Sequence, residues 1–172
     1  RDVIIGANTV GPAQLGGSTS AVVAIGADIT FDSTGSLGRI ESVAVGQGTS
    51  VADYATAVGA GAKAALNATS IGTFAQATGN RSIALGSAMN TLGTGAPVAS
   101  GNDALAIGGN AQASADNAIA IGGSDTVTGA ARATAARATA IGAGARAIDA
   151  DALAIGTNSL ASGAGVALGR DA

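Results

Sequence analysis

The chain has 172 residues, a formal net charge of −3, 28 Gly, and no His or Cys. The absence of Cys excludes a disulfide framework and a thiolate metal site, and the absence of His removes the commonest general base and metal ligand. With 47% hydrophobic and 11% charged residues the chain is too apolar for disorder, and its negative charge disfavours nucleic acid or an anionic membrane as a partner.

A phrase made of an aliphatic residue, Ala, a second aliphatic residue and Gly recurs from one end of the chain to the other. Six of the ten steps between successive phrases span 13 or 14 residues, and the other four are 6 to 9 residues longer. The chain therefore consists of one repeated unit with insertions, which we place near residues 10–19, 32–42, 93–103 and 129–138. The glycines that mark the phrases are Gly6, Gly26, Gly46, Gly59, Gly72, Gly86, Gly108, Gly122, Gly142, Gly156 and Gly169.

Each repeat unit predicts two short β-strands. Aliphatic residues alternate with Ala before the marker Gly, which is the period-two pattern of a strand, and a second short alternation such as Ala62–Lys63–Ala64 follows it. The Gly between them supplies the positive φ or the close backbone approach of a tight corner. Stacked units predict an all-β fold, a single parallel β-roll solenoid over residues 1–172 with coils of 13–14 residues about 4.8 Å apart.

The two alternating columns of each phrase must face opposite ways. We expect the large aliphatic residue before each Gly to fill the core between the two sheets. The expected core residues are Ile25, Val45, Val58, Ile71, Leu85, Ile107, Ile121, Ile141, Ile155 and Leu168.

The Ala between the aliphatic residues is then expected to point outward. A full-length outward column of small apolar residues indicates close packing against other copies of the chain, although Ala can also simply tolerate exposure. The residues expected at this oligomer contact are Ala24, Ala44, Ala57, Ala84, Ala106, Ala120, Ala140, Ala154 and Ala167.

Several phrases resemble a known family of repeats. The stretches ESVAVGQGTSVADYATAVGAGAKA (Glu41–Ala64), DNAIAIGG (Asp116–Gly123) and DADALAIGTNSLASGAGVALG (Asp149–Gly169) are similar to the Yersinia-adhesin-like head repeats of trimeric autotransporter adhesins. The resemblance extends from Asp2 to Gly169. It implies a left-handed β-roll, three copies of which pack side by side as a homotrimer.

The same resemblance implies a function and a location. A head of this kind is a virulence factor on the surface of Gram-negative bacteria, where it binds host cells or extracellular matrix. It is carried on a coiled-coil stalk and held in the outer membrane by a C-terminal anchor. Neither part is recognisable in this chain, which begins at Arg1, so we expect it to be a segment of a longer protein. The alternative function is a structural spacer that projects a binding domain located elsewhere.

No motif of the chain indicates catalysis, a cofactor or a metal. The Gly-rich stretches Gly59–Ala64 and Gly142–Ala147 fall at repeat corners, and the 11 carboxylates are scattered through predicted loops and turns, so we predict that the protein is not an enzyme.

One group of charged residues suggests a ligand contact. Arg132 and Arg137 fall in the fourth predicted insertion and Arg146 follows in the next coil. Arg recognises carboxylates and sulfates through two parallel hydrogen bonds, so acidic glycans or proteins of the matrix would fit. The alternative is that these arginines form salt bridges with nearby acids such as Asp149 or Asp151.

Overall fold

The structure, a computed structural model, describes residues 3–8, 19–32, 39–90 and 92–172. These residues form two parallel β-sheets of eleven and nine strands, without an α-helix in the described ranges; Val127–Gly129 form a short 3₁₀ turn. The chain passes from one sheet to the other and back in each coil, so consecutive strands of a sheet come from consecutive coils. The predicted all-β parallel β-roll is thereby confirmed.

The first sheet consists of the strands that end just before the marker glycines. In spatial order they are β1 (Val3–Ile5), β2 (Thr19–Ile25), β4 (Arg39–Val45), β6 (Thr56–Val58), β8 (Thr69–Ile71), β10 (Ile83–Leu85), β12 (Leu105–Ile107), β14 (Ile119–Ile121), β16 (Thr139–Ile141), β18 (Leu153–Ile155) and β20 (Val166–Leu168).

The second sheet consists of the shorter strands that follow those glycines. They are β3 (Thr30–Asp32), β5 (Ser50–Ala52), β7 (Lys63–Ala64), β9 (Gln76–Ala77), β11 (Val98–Ala99), β13 (Gln112–Ala113), β15 (Arg132–Ala133), β17 (Arg146–Ala147) and β19 (Leu160–Ala161).

Glycine makes the first corner of each coil possible. Gly59 has φ +131° and its amide donates to the carbonyl oxygen of Val45 at 2.7 Å. In the next coil, the amide of Gly72 donates to the carbonyl oxygen of Val58, also at 2.7 Å. A Cβ at Gly59 would lie 2.4 Å from the carbonyl oxygen of Gly72. The corners stack too closely for a Cβ, and their positive φ disfavours residues other than Gly. Only Gly therefore fits at this position.

The core of the roll consists mainly of Ala. From β6 onwards, the central residue of each first-sheet strand faces Ala64, Ala77 and their equivalents on the second sheet, and the large buried residues Phe31 and Val51 lie in the N-terminal coils. Buried hydroxyl groups donate hydrogen bonds to backbone carbonyl oxygens; for example, Ser70 Oγ donates to the carbonyl oxygen of Ala75 at 2.7 Å. A coil of 13–14 residues encloses room for little more than methyl groups between its sheets.

The sequence-based assignment of inside and outside was therefore wrong. The column expected at the oligomer contact lies in the core of the single roll, each residue between 0% and 9% exposed: Ala24, Ala44, Ala57, Ala84, Ala106, Ala120, Ala140, Ala154 and Ala167. The column expected in the core lies on the outer face and is half-buried or exposed: Ile25, Val45, Val58, Ile71, Leu85, Ile107, Ile121, Ile141, Ile155 and Leu168. The two columns are exchanged because side chains of this size do not fit between the sheets.

The two C-terminal insertions begin earlier than expected. The extra residues lie at the first corner of their coils, over 86–97 and 122–131, whereas Val98–Ala99 and Arg132–Ala133 are ordinary strands of the second sheet. The expected bounds 93–103 and 129–138 therefore included one regular strand and corner each. The expected insertion 10–19 lies almost wholly outside the described residues, as does 33–38 of the insertion 32–42.

Candidate functional site

The outer face of the first sheet is apolar over the length of the described roll. Two columns of residues, one on each side of the buried Ala, face outward in register, as where Ile107 pairs with Ile121 and Ile121 with Ile141. Several are strongly exposed, including Ile71 at 43% and Leu168 at 63%. We call these two columns the aliphatic face. A largely apolar outer face, interrupted by Thr56, Thr69 and Thr139, is typical of an interaction surface.

The outer face of the second sheet is polar by contrast. Its first outward column carries Lys63, Gln76, Gln112, Arg132 and Arg146 in successive register positions, interrupted by Val98 and ended by Leu160. One side of the roll is thus suited to burial and the other to water or a polar ligand.

Two of the three arginines singled out in the sequence are neighbours on this polar face. Arg132 and Arg146 are paired in register on β15 and β17, about 4.8 Å apart in the direction of the ladder. Arg132 is half-buried and its Nε has no hydrogen-bond partner, while Arg146 is exposed. Neither forms an ion pair with a described residue. Guanidinium groups on neighbouring strands can donate hydrogen bonds to a carboxylate or a sulfate ester.

Arg137 lies apart from this pair. It occupies the second corner of its coil with φ +59°, and its Nε and Nη2 donate to Asp151 Oδ1 and Oδ2 at 2.6 and 2.8 Å. These hydrogen bonds hold the pKa of the Asp151 carboxyl below its usual range. Arg137 thus forms the salt bridge that was the alternative for this residue. Arg132 also belongs to a regular strand rather than to the insertion.

A second bidentate pair lies at the same corner three coils earlier. Arg81 Nε and Nη2 donate to Asp103 Oδ1 and Oδ2, each at 2.7 Å, and lower the pKa of the Asp103 carboxyl. Both pairs therefore connect one coil to the next, and we call them the corner salt bridges.

The described part of the chain contains neither a candidate metal site nor a candidate membrane-spanning helix. There, no three or more Asp, Glu, His or Cys side chains come together in a way that could hold a metal ion. No helix in the same ranges has the length and apolarity needed to cross a bilayer.

These features define a class of protein: a repetitive parallel β-roll with one mainly apolar and one polar outer face. A family model described as "YadA head domain repeat (2 copies)" matches residues 64–88, 99–124, 133–159 and 147–172, more than half of the chain. The chain therefore belongs to the YadA head family, a family of structural adhesin head domains. Neither a search of curated proteins nor a search of solved structures gave a match.

Reasoning from the sequence missed the aliphatic face. The only signal that could have revealed it was side-chain size: Ala recurs at one position in coil after coil, and a coil of 13–14 residues leaves little space inside. Sequence reasoning also missed a groove around Asp53, for which the repeat pattern contains no signal.

Proposed function

We propose that this chain is the head of a bacterial surface adhesin that binds host cells or extracellular matrix as a homotrimer. The observation that carries the proposal is the aliphatic face of a chain that belongs to an adhesin head family. In the whole protein, a stalk and a C-terminal outer-membrane anchor outside this chain would hold the head at the cell surface.

The aliphatic face supports assembly of the trimer. Eleven strands contribute aliphatic or Thr side chains to it, and the described roll buries mainly Ala in its own core, so a lone chain has little large apolar surface to stabilise it. Packing three aliphatic faces around a common axis would remove Ile and Leu side chains from water at about 25 cal/mol per Å² of buried apolar area. The trimer would then have left-handed rolls, as its family resemblance implies.

The polar face of the second sheet would remain outside such a trimer and is available for adhesion. Arg132 and Arg146 on neighbouring strands are suited to a carboxylate or sulfate of a matrix glycan or protein. Three copies of this pair on one trimer would add affinity through multivalency, with a modest contact at each.

A pull-down of the 172-residue chain with host cells and immobilised matrix proteins tests this function. Binding above that of an unrelated trimer is the expected result. Binding no greater than the unrelated trimer would favour the spacer function instead.

The role of the arginine pair is tested in the same assay. Arg132→Gln with Arg146→Gln should reduce binding at low salt. The matched control is Arg81→Gln with Arg170→Gln, which removes the same charge elsewhere and should leave binding unchanged. Unchanged adhesion of an intact Arg132/Arg146 double variant would exclude the pair as a contact.

A further inference from the structure

A groove of about 390 Å³ lies against the second sheet beside β5 and β7. Its lining combines small apolar groups, including Ala52 and Leu66, with charged and polar ones. The charged and polar residues that the argument uses are Asp32, Ser50, Asp53, Lys63 and Thr78.

Asp53 is the unusual member of this lining. Only 4% of the residue is exposed, and its Oδ1 has neither solvent contact nor a hydrogen-bond partner. Removing a carboxylate oxygen from water without giving it a hydrogen-bond partner disfavours the charged form. Burial raises the pKa of Asp53, and the charge of Asp32 raises it further. The groove thus contains a carboxylate whose charge the protein itself does not compensate.

Asp32 supplies a second carboxylate, and no cation of the described residues neutralises either one. Lys63 lines the same groove, but it is exposed and forms no ion pair with Asp32 or Asp53. The ion pairs of Arg81 with Asp103 and of Arg137 with Asp151 lie at corners of other coils.

We propose that this groove binds the cationic side chain of an arginine or lysine from an extended segment of a host protein. The exposed carboxylate of Asp32 would pair with the cationic group and the charge of the buried Asp53 would attract it, while Leu66 and the neighbouring alanines contact its aliphatic stem. The inference rests on the proposed adhesin function for the source of that side chain. The groove lies against the second sheet, whereas the aliphatic face belongs to the first.

A divalent metal ion fits the groove less well than an organic cation. Calcium takes six to eight oxygen ligands and prefers several carboxylates. The described residues contain no group of three or more acidic side chains placed for a metal, and the apolar part of the lining would contribute nothing to one.

The test uses the 172-residue chain and two small probes, acetyl-arginine amide and acetyl-citrulline amide, which have similar shape but differ in charge. Amide chemical shifts in an NMR titration report binding at the groove. The arginine probe should shift the signals of Asp53, Lys63 and Thr78, and the citrulline probe should bind at least tenfold more weakly. Equal shifts with both probes, or none, would overturn the proposal, as would saturable shifts of the same signals with CaCl₂ alone.

Three variants assign the effect to named side chains. Asp53→Asn and Asp32→Asn should each weaken binding of the arginine probe, by about tenfold for Asp53→Asn. Because Asp32 is exposed, Asp32→Asn still tests the proposal if substitution of the buried Asp53 prevents folding. Lys63→Met should strengthen binding because it removes a competing positive charge. Asp125→Asn, an exposed acid in another loop, is the matched control and should have no effect.

Opposite outcomes would contradict the assignment. An unchanged affinity in both Asp32→Asn and Asp53→Asn, or weaker binding in Lys63→Met, would show that these carboxylates do not receive the probe. Because the probe is a small molecule, this result is independent of whether the chain binds host cells.

Discussion

Ala154 and Ile155 are consecutive residues of β18 that lie on opposite sides of the first sheet, 0% and 37% exposed. The same relationship holds in β16, where Ala140 is buried and Ile141 faces outward. In this roll the smaller residue of each pair packs in the core of the single chain, and the larger one lies on the outer face of the sheet.

Enlarging a core alanine should destabilise the roll. Ala140→Leu places three extra carbon atoms between two sheets already in contact, and overpacking of this kind costs about 1–3 kcal/mol or more. A lower midpoint in urea or thermal unfolding measures the effect. Gln112→Leu, on the outer face of the second sheet, is the control and should leave the midpoint nearly unchanged. Equal midpoints for both variants would contradict an Ala core.

A charge on the aliphatic face should break the proposed trimer. Ile141→Arg would bury a guanidinium group in a contact that offers it no partner, at a cost of several kcal/mol. Sedimentation equilibrium should show a shift from trimer to monomer, with far-UV circular dichroism to follow the fold. Leu160→Arg makes the same chemical change on the second sheet, where Leu160 is 45% exposed, and should remain trimeric. A trimeric Ile141→Arg variant would rule out this interface.

A side chain at the stacked glycine corner should also destabilise the chain. Gly59→Ala combines a φ of +131° with a Cβ 2.4 Å from a backbone oxygen, and strain of this kind costs about 1–3 kcal/mol. Chemical denaturation measures the loss. Gly163→Ala, at φ +53° with no atom within 4 Å of the added Cβ, should cost less. An equal or larger loss at Gly163 would show that close stacking is not the reason for Gly at this corner.

The corner salt bridges should make stability sensitive to acid. Hydrogen bonds from Arg81 and Arg137 lower the pKa values of Asp103 and Asp151 below the ordinary 3.8, so the folded state binds fewer protons than the unfolded state. Their stabilising contribution is present above pH of about 4 and is lost as pH falls through the lowered pKa values.

Chemical denaturation at pH 6 and pH 2.5 measures how the free energy of unfolding changes with pH. The wild-type chain should lose more stability between these conditions than the variant Asp103→Asn with Asp151→Asn. Asp53 acts in the opposite direction, since its raised pKa favours the folded state when it is protonated. Identical acid dependence in wild type and the double variant would mean that the corner salt bridges contribute nothing to the free energy of unfolding.

The repeat phrases by themselves determined the all-β parallel roll and the place of its corners. These features depend on short-range rules: period-two alternation defines a strand, and a positive φ at Gly59 or Gly122 defines a turn. Because the same rules recur in every coil, each repeat supports the same interpretation of the others. The family resemblance rested on the same phrases, and the family match agrees with it.

Only the tertiary structure decided which side of each strand is the inside. Alternation is symmetric between the two faces of a strand, so the positions of Ala154 and Ile155 depend on the space that remains when the coil closes. Stacking of the coils decides which residues become neighbours. It brings Arg137 to Asp151, and it places the charge of Asp32 near Asp53. Neighbours across coils are separated by a full repeat along the chain, and insertions of variable length shift that separation, so these contacts have no local signature in the sequence.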